Sequence, residues 1–175
     1  MPKAPLYQLT AEELSDFDHP ANRALQGTAR DHWPRSFRIT WDYSPHNFHR
    51  CLDGVSRSEF KRDYPEIKVG SARLEEIDAV LHGASRRGKH ELWGFADEKV
   101  TRCILHWSTG SAITPPMLAV NMGKLVIVGG NNRMAVCRSA EIERLPFLFD
   151  ADHQPAIAAK LQTFSLQTGE GLNHE

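Results

Sequence analysis

Leu125-Val126-Ile127-Val128-Gly129-Gly130-Asn131-Asn132-Arg133 is the stretch whose reading decides the fold. Its first four residues form an apolar, largely β-branched run that reads as a strand. The glycine pair and two asparagines then break the strand. Beyond them Met134, Ala135, Val136 and Cys137 predict a helix over Arg133 to Ile142. A glycine pair between strand and helix lets the backbone approach a ligand closely. The helix start offers unpaired N–H groups and partial positive charge to a phosphate, and Arg133 can add a bidentate contact. Glycine pairs at strand ends are more often plain turns, so this loop alone is a weak signal.

Working outward, Met117 to Val120 and Leu125 to Val128 read as a hairpin across the turn Asn121-Met122-Gly123-Lys124. Leu145-Pro146-Phe147-Leu148-Phe149 reads as a returning strand. If the strands flanking the loop and helix run parallel, they form a right-handed crossover with the loop at the carboxyl end of the first. Upstream, Glu66 to Val69 alternates like a strand, and Ser71 offers an N-cap for a helix over Arg73 to Leu81, ended by Gly83. Asp97 to Trp107 carries Val100, Cys103, Ile104 and Trp107 at the spacing of an amphipathic helix. Its opposite flank holds Lys99, Arg102 and His106 on one stripe, where three donors can face one anion or simply face water.

Together these elements predict a mixed α/β fold, a compact sheet with packed helices. Its core spans 64–150, an N-terminal arm covers 1–63, and a helix and polar tail cover 151–175. The arm is rich in turn and charge signals and includes a capped helical turn at Thr10 with Glu13 three residues on. A chain of 175 residues with 41% hydrophobic content can build one good core. With 21 Lys+Arg against 22 Asp+Glu, no global basic field announces a nucleic-acid partner. Such a partner must meet a local patch, and the loop Ser85-Arg86-Arg87-Gly88-Lys89-His90 is one candidate, with a solvated loop the equal alternative. Three cysteines without a CxxC pair, no apolar leader and no long apolar run lead to the expectation of a cytoplasmic protein that does not span a membrane.

From Glu66 to Asp150 the order of motifs resembles the ParB/sulfiredoxin superfamily. The resemblance is carried by Asp97-Glu98-Lys99-Val100, Ile113-Thr114-Pro115-Pro116-Met117, Gly129-Gly130-Asn131-Asn132-Arg133 and Arg144-Leu145-Pro146-Phe147. It implies an ATP-phosphate site in which Lys99, Arg102, Gly129, Gly130 and Asn131 bind. Arg133, Asn132 and His106 are then the candidates for catalysis. Arg102 and His106 replace hydroxyl residues of sulfiredoxins, and Asn131 replaces the nucleophilic cysteine. An amide cannot perform that thiol chemistry, so sulfiredoxin activity is ruled out on this alignment. Asn132 stands where sulfiredoxins have histidine; it loses a titratable group but keeps hydrogen-bonding capacity.

About 25 residues after Asp150 cannot supply the helix-turn-helix module of partition proteins. The resemblance therefore points to the stand-alone branch, which includes nucleotide hydrolases, nucleases and plasmid-encoded fertility-inhibition proteins. It implies ATP as ligand or substrate with Mg²⁺, and DNA as partner in the form of plasmid or conjugative transfer intermediates. Components of a type IV secretion or coupling apparatus are further partners. The competing expectations are a non-catalytic protein that blocks such a component and a DNA-binding adaptor.

Other features are more simply structural. His46 and His49 form a His-x-x-His spacing without a third ligand at a recognised interval. Asp16, Asp18 and the pairs Glu12-Glu13 and Glu75-Glu76 are commonplace surface carboxylates. Cys137 fits a packed helix better than a reactive thiol. Trp33, Trp41, Trp93 and Trp107 fit core anchoring or docking of the arm better than base stacking.

Overall fold

A computed structural model describes residues 23–83 and 87–168. The turn at Thr10 to Glu13, Asp16, Asp18, Ser85-Arg86 and the end of the polar tail lie outside the described residues. The chain is mixed α/β and clusters into two units interleaved in sequence. The sheet unit holds 42–83, Thr114–Asn131 and 141–168; the helical unit holds 23–41, Arg87–Ile113 and Asn132–Ala140.

The sheet unit contains five strands: β1 (Ile67–Arg73), β2 (Met117–Asn121), β3 (Lys124–Gly129), β4 (Arg144–Asp150) and β5 (Ser165–Leu166), in the order β3-β2-β4-β1-β5. The expected hairpin is present, with β2 and β3 antiparallel and Asn121 opposite Lys124. β4 lies in the middle. Its run Leu145 to Phe149 is buried throughout, as a strand covered on both faces requires. Pro146 has no N–H to give, and β4 tolerates it because its parallel pairing with β2 is confined to Met117 opposite Leu148.

Two expectations change here. β3 is antiparallel to β2, and β2 is parallel to β4, so β3 and β4 run in opposite senses and the parallel crossover is not formed. Ser71 caps no helix. It is buried inside β1, which continues through Arg73 because it is paired residue by residue with β4, and Ser71 Oγ lies 3.1 Å from Ser165 Oγ. The helix that follows, α2 (Leu74–Val80), has Arg73 at its N-cap without a side-chain cap bond.

Ahead of β1, α1 (Arg57–Asp63) is closed by a capping box: Ser56 Oγ accepts from the Glu59 N–H, and the Glu59 carboxylate accepts from the Ser56 N–H at 2.9 Å. Phe60 of this helix packs in a cluster with Phe48, Cys51, Val69, Met117 and Leu148. Burying one such aromatic side chain stabilises by roughly 1.5–3 kcal/mol. Beyond β4 the expected helix is α5 (Gln154–Lys160), which buries Ile157. No helix among the described residues is long and apolar enough to cross a membrane.

The helical unit is built on α3 (Asp97–Ser108) and α4 (Asn131–Ser139), the latter with its first residue in the sheet unit. α3 starts where periodicity placed it and buries Val100, Thr101, Ile104, Leu105, Trp107 and Ser108. α4 opens two residues earlier than expected and ends at Ser139, because Gly130, with φ of 90°, turns the chain directly into the helix and Glu141, with φ of 57°, turns it out. Trp107 is fully buried. Its indole N–H donates to the Thr40 carbonyl at 2.9 Å, and its ring meets Trp41 and Phe37 edge to face at 5.4 and 6.1 Å. Trp33 stacks edge-on against Phe37 at 5.0 Å. These tryptophans serve the packing of residues 33–41.

Candidate anion-binding site

The helical unit is poor in acids rather than unusually rich in cations. Its described segments hold 10 Lys and Arg against 4 Asp and Glu, whereas those of the sheet unit hold 9 against 12. The near-zero net charge of the whole chain conceals this partition.

At the centre of the basic unit stands Arg87. It belongs to the run that reads equally as a cationic patch or a solvated loop, and it is 8% exposed. Its Nη1 donates to Asn132 Oδ1 at 3.1 Å and its Nη2 to the Phe95 carbonyl at 2.7 Å, while its guanidinium lies 5.2 Å from the centre of the Phe95 ring. Both hydrogen-bond acceptors are neutral. No carboxylate of the described residues lies within ion-pair distance of it. Burial lowers the Arg87 pKa and the nearby Arg138 lowers it further, with Asp97 and Glu91 opposing at longer range. A buried guanidinium without a carboxylate partner is costly, and an arriving anion would relieve that cost.

The rest of the loop is held locally. The Gly88 N–H donates to Glu91 Oε2 at 2.6 Å and the Glu91 N–H to the Gly88 carbonyl at 3.0 Å, leaving Lys89 and His90 exposed. On α3 the stripe Lys99, Arg102 and His106 is exposed, as the spacing implied. Partial desolvation lowers the His106 pKa, and the guanidinium of Arg102 adds to the effect. His106 is therefore mainly neutral at pH 7 and able to accept a proton. At the start of α4, Asn132 and Arg133 are half-buried, and Nη1 of Arg133 is fully enclosed.

Gly129, Gly130 and Asn131 belong to the sheet unit. Gly130 needs its left-handed backbone to enter α4. Gly129 has a different reason to lack a side chain: a Cβ there would collide with the Cys51 carbonyl oxygen and lie 2.7 Å from Leu52 Cδ2. Close packing on Cys51 thus accounts for Gly129 without a ligand. Asn131 Oδ1 is enclosed and has no hydrogen-bond partner among the described residues.

Phe95 is the residue that sequence reading missed as a site candidate; Arg87 was named within the basic loop, but its burial was not foreseen. Among the described residues no group of three His, Cys, Asp or Glu side chains could hold a metal ion, His46 and His49 included. No family model, curated protein or solved structure matches the chain.

Proposed function

We propose that this protein binds nucleic acid and nucleotide phosphates through its helical unit. The observation that supports it is Arg87, a buried guanidinium whose acceptors among the described residues are neutral, set in a unit whose described segments hold more cations than acids. Phosphate oxygens match the fork of a guanidinium, and exposed Lys99, Arg102 and Lys89 supply the looser, salt-sensitive contacts of a backbone-binding surface. The motif resemblance to stand-alone ParB/sulfiredoxin proteins favours the same ligand class, with transfer intermediates of plasmid DNA as the partner and fertility inhibition as the role.

A second reading adds catalysis, and His106 favours it. A neutral imidazole beside Arg102 is suited to accept a proton from an attacking water, while Lys99 and Arg133 stabilise phosphate charge and Asn132 orients by hydrogen bonding. In this form the protein hydrolyses ATP and cleaves DNA.

One set of assays tests both. Binding of single- and double-stranded DNA is measured against salt for wild type, Lys99→Ala and Arg102→Ala. Each removed phosphate contact should flatten the slope of log affinity against log salt by roughly 0.7–0.9. DNA binding that is absent at low salt would sink the proposal. ATP turnover and nicking of supercoiled DNA, with and without Mg²⁺, are followed alongside for wild type and Arg133→Ala. Turnover lost in a folded Arg133→Ala supports the catalytic reading; turnover absent in wild type leaves binding alone.

A further inference from the structure

Phe95 is 62% exposed, the one exposed Phe, Tyr or Trp among the described residues. An aromatic ring left in water while Trp33 and Trp107 of the same unit are buried calls for a reason. Its backbone is held on both sides. Gly94 and Ala96 take left-handed conformations with φ of 102° and 51°, a strained geometry for the alanine. The Gly94 N–H donates to Asp97 Oδ1 at 2.7 Å, and the Phe95 carbonyl accepts from Arg87. The ring thus projects from a pinned turn rather than from a loose loop. One of its faces carries the Arg87 guanidinium. α3 begins two residues later, with Lys99 exposed in its first turns.

We propose that Phe95, backed by Arg87, is a stacking platform for an unpaired nucleobase. The inference rests on the phosphate-binding function proposed above and names its substrate class: nucleic acid with accessible bases, or a free nucleotide. Three features fit this ligand. An exposed ring offers a π-face that any base can cover, the turn fixes the ring before binding, and cations at Arg87 and Lys99 lie along the same short segment for the adjoining phosphates. Asn132, on Arg87, ties the platform to the start of α4.

The test compares a short single-stranded oligonucleotide, an abasic oligonucleotide of equal length, and ATP, each titrated against wild type, Phe95→Ala, Phe95→Leu and Phe95→Trp. Circular dichroism confirms folding, which an exposed position makes straightforward. Phe95→Ala and Phe95→Leu should weaken oligonucleotide binding about 5- to 100-fold, while abasic binding stays at the wild-type value. Phe95→Trp should retain affinity and show indole quenching on binding. Equal losses on ATP identify the free nucleotide as a source of the base; a loss confined to the oligonucleotide assigns the strand. Wild-type affinity of Phe95→Ala for every ligand overturns the platform and leaves phosphate binding standing. Equal loss on normal and abasic strands also overturns it. Failure of wild type to bind any of the three overturns both proposals.

Discussion

Gly129→Ala separates two reasons for a glycine at the head of the loop. The added Cβ would meet the Cys51 carbonyl oxygen, Leu52 Cδ2 at 2.7 Å and the Cys51 carbonyl carbon at 3.1 Å. Leu52 can rotate, but the other two obstacles are backbone. Cys51 is itself packed in the cluster with Phe48, Phe60 and Met117, so moving it displaces buried neighbours. Overpacking of this kind costs about 1–3 kcal/mol. With backbone on the receiving end, the upper half of that range, about 2–3 kcal/mol, is expected. For a chain of this length each kcal/mol lowers Tm by roughly 2–4 °C, so the variant should melt about 4–12 °C below wild type. Thermal and urea melts followed by circular dichroism measure the loss, which should move the urea midpoint without changing its slope. A Gly129→Ala protein that melts with wild type would refute the packing account. If that same protein had lost phosphate binding, the glycine would belong to a ligand.

Trp107→Phe should lower stability by about 1–3 kcal/mol in a urea melt, because the smaller ring underfills a fully buried site and the Thr40 carbonyl keeps only the Ile113 N–H as donor; an unchanged midpoint would contradict this. Glu76 accepts from the Thr163 hydroxyl and backbone N–H, which hold its carboxyl below the ordinary value of 4.5. Since the folded pKa is the lower one, this stabilisation is present above the unfolded value and lost as pH falls through the folded value. Glu76→Gln should therefore flatten the acid limb of stability measured against pH, and curves that stay parallel would rule the contact out. Cys51 and Cys137 are buried, and burial pushes the Cys137 thiol well above its usual range, so a thiol reagent should label half-buried Cys103 first. Cys103→Ser should abolish the fast phase; a fast phase that persists would place a reactive thiol elsewhere.

The elements visible in the sequence were those whose signal is local. α3 follows from apolar spacing within twelve residues, and the hairpin from two apolar runs around Met122-Gly123. What escaped was set by distant pairing. Ser71 has the chemistry of a cap, but its place in β1 is decided by Arg144 and Ser165, far along the chain. The sense of β3 against β4 depends on β2 lying between them in the sheet, which no property of the loop and helix reveals. Arg87 is the same case at the candidate site: its hydrogen bond to Asn132 joins residues 45 apart in sequence, and nothing in its neighbours Gly88 and Lys89 foretells burial. The exposed cation stripe of α3 was legible because one helix carries all of it. Phe95 was not, because an aromatic in a loop normally finds a core.

The charge of the molecule makes the same point about function. A net charge of -1 removes the usual sequence argument for nucleic-acid binding. That argument assumes charge is spread evenly over the surface. Here the chain interleaves, and the segments 23–41, 87–113 and 132–140 that assemble into one unit are each short enough to escape notice alone. Among the described residues the two units hold nearly equal numbers of cations, and the acids concentrate in the sheet unit. Because exposed charges are screened within about 10 Å at ordinary salt, a ligand responds to the charge of the surface it touches and not to the chain's total. On the function proposed above, a polyanion engaging the helical unit would meet more cations than acids among its described residues, and the buried guanidinium of Arg87 is the contact that salt should weaken least.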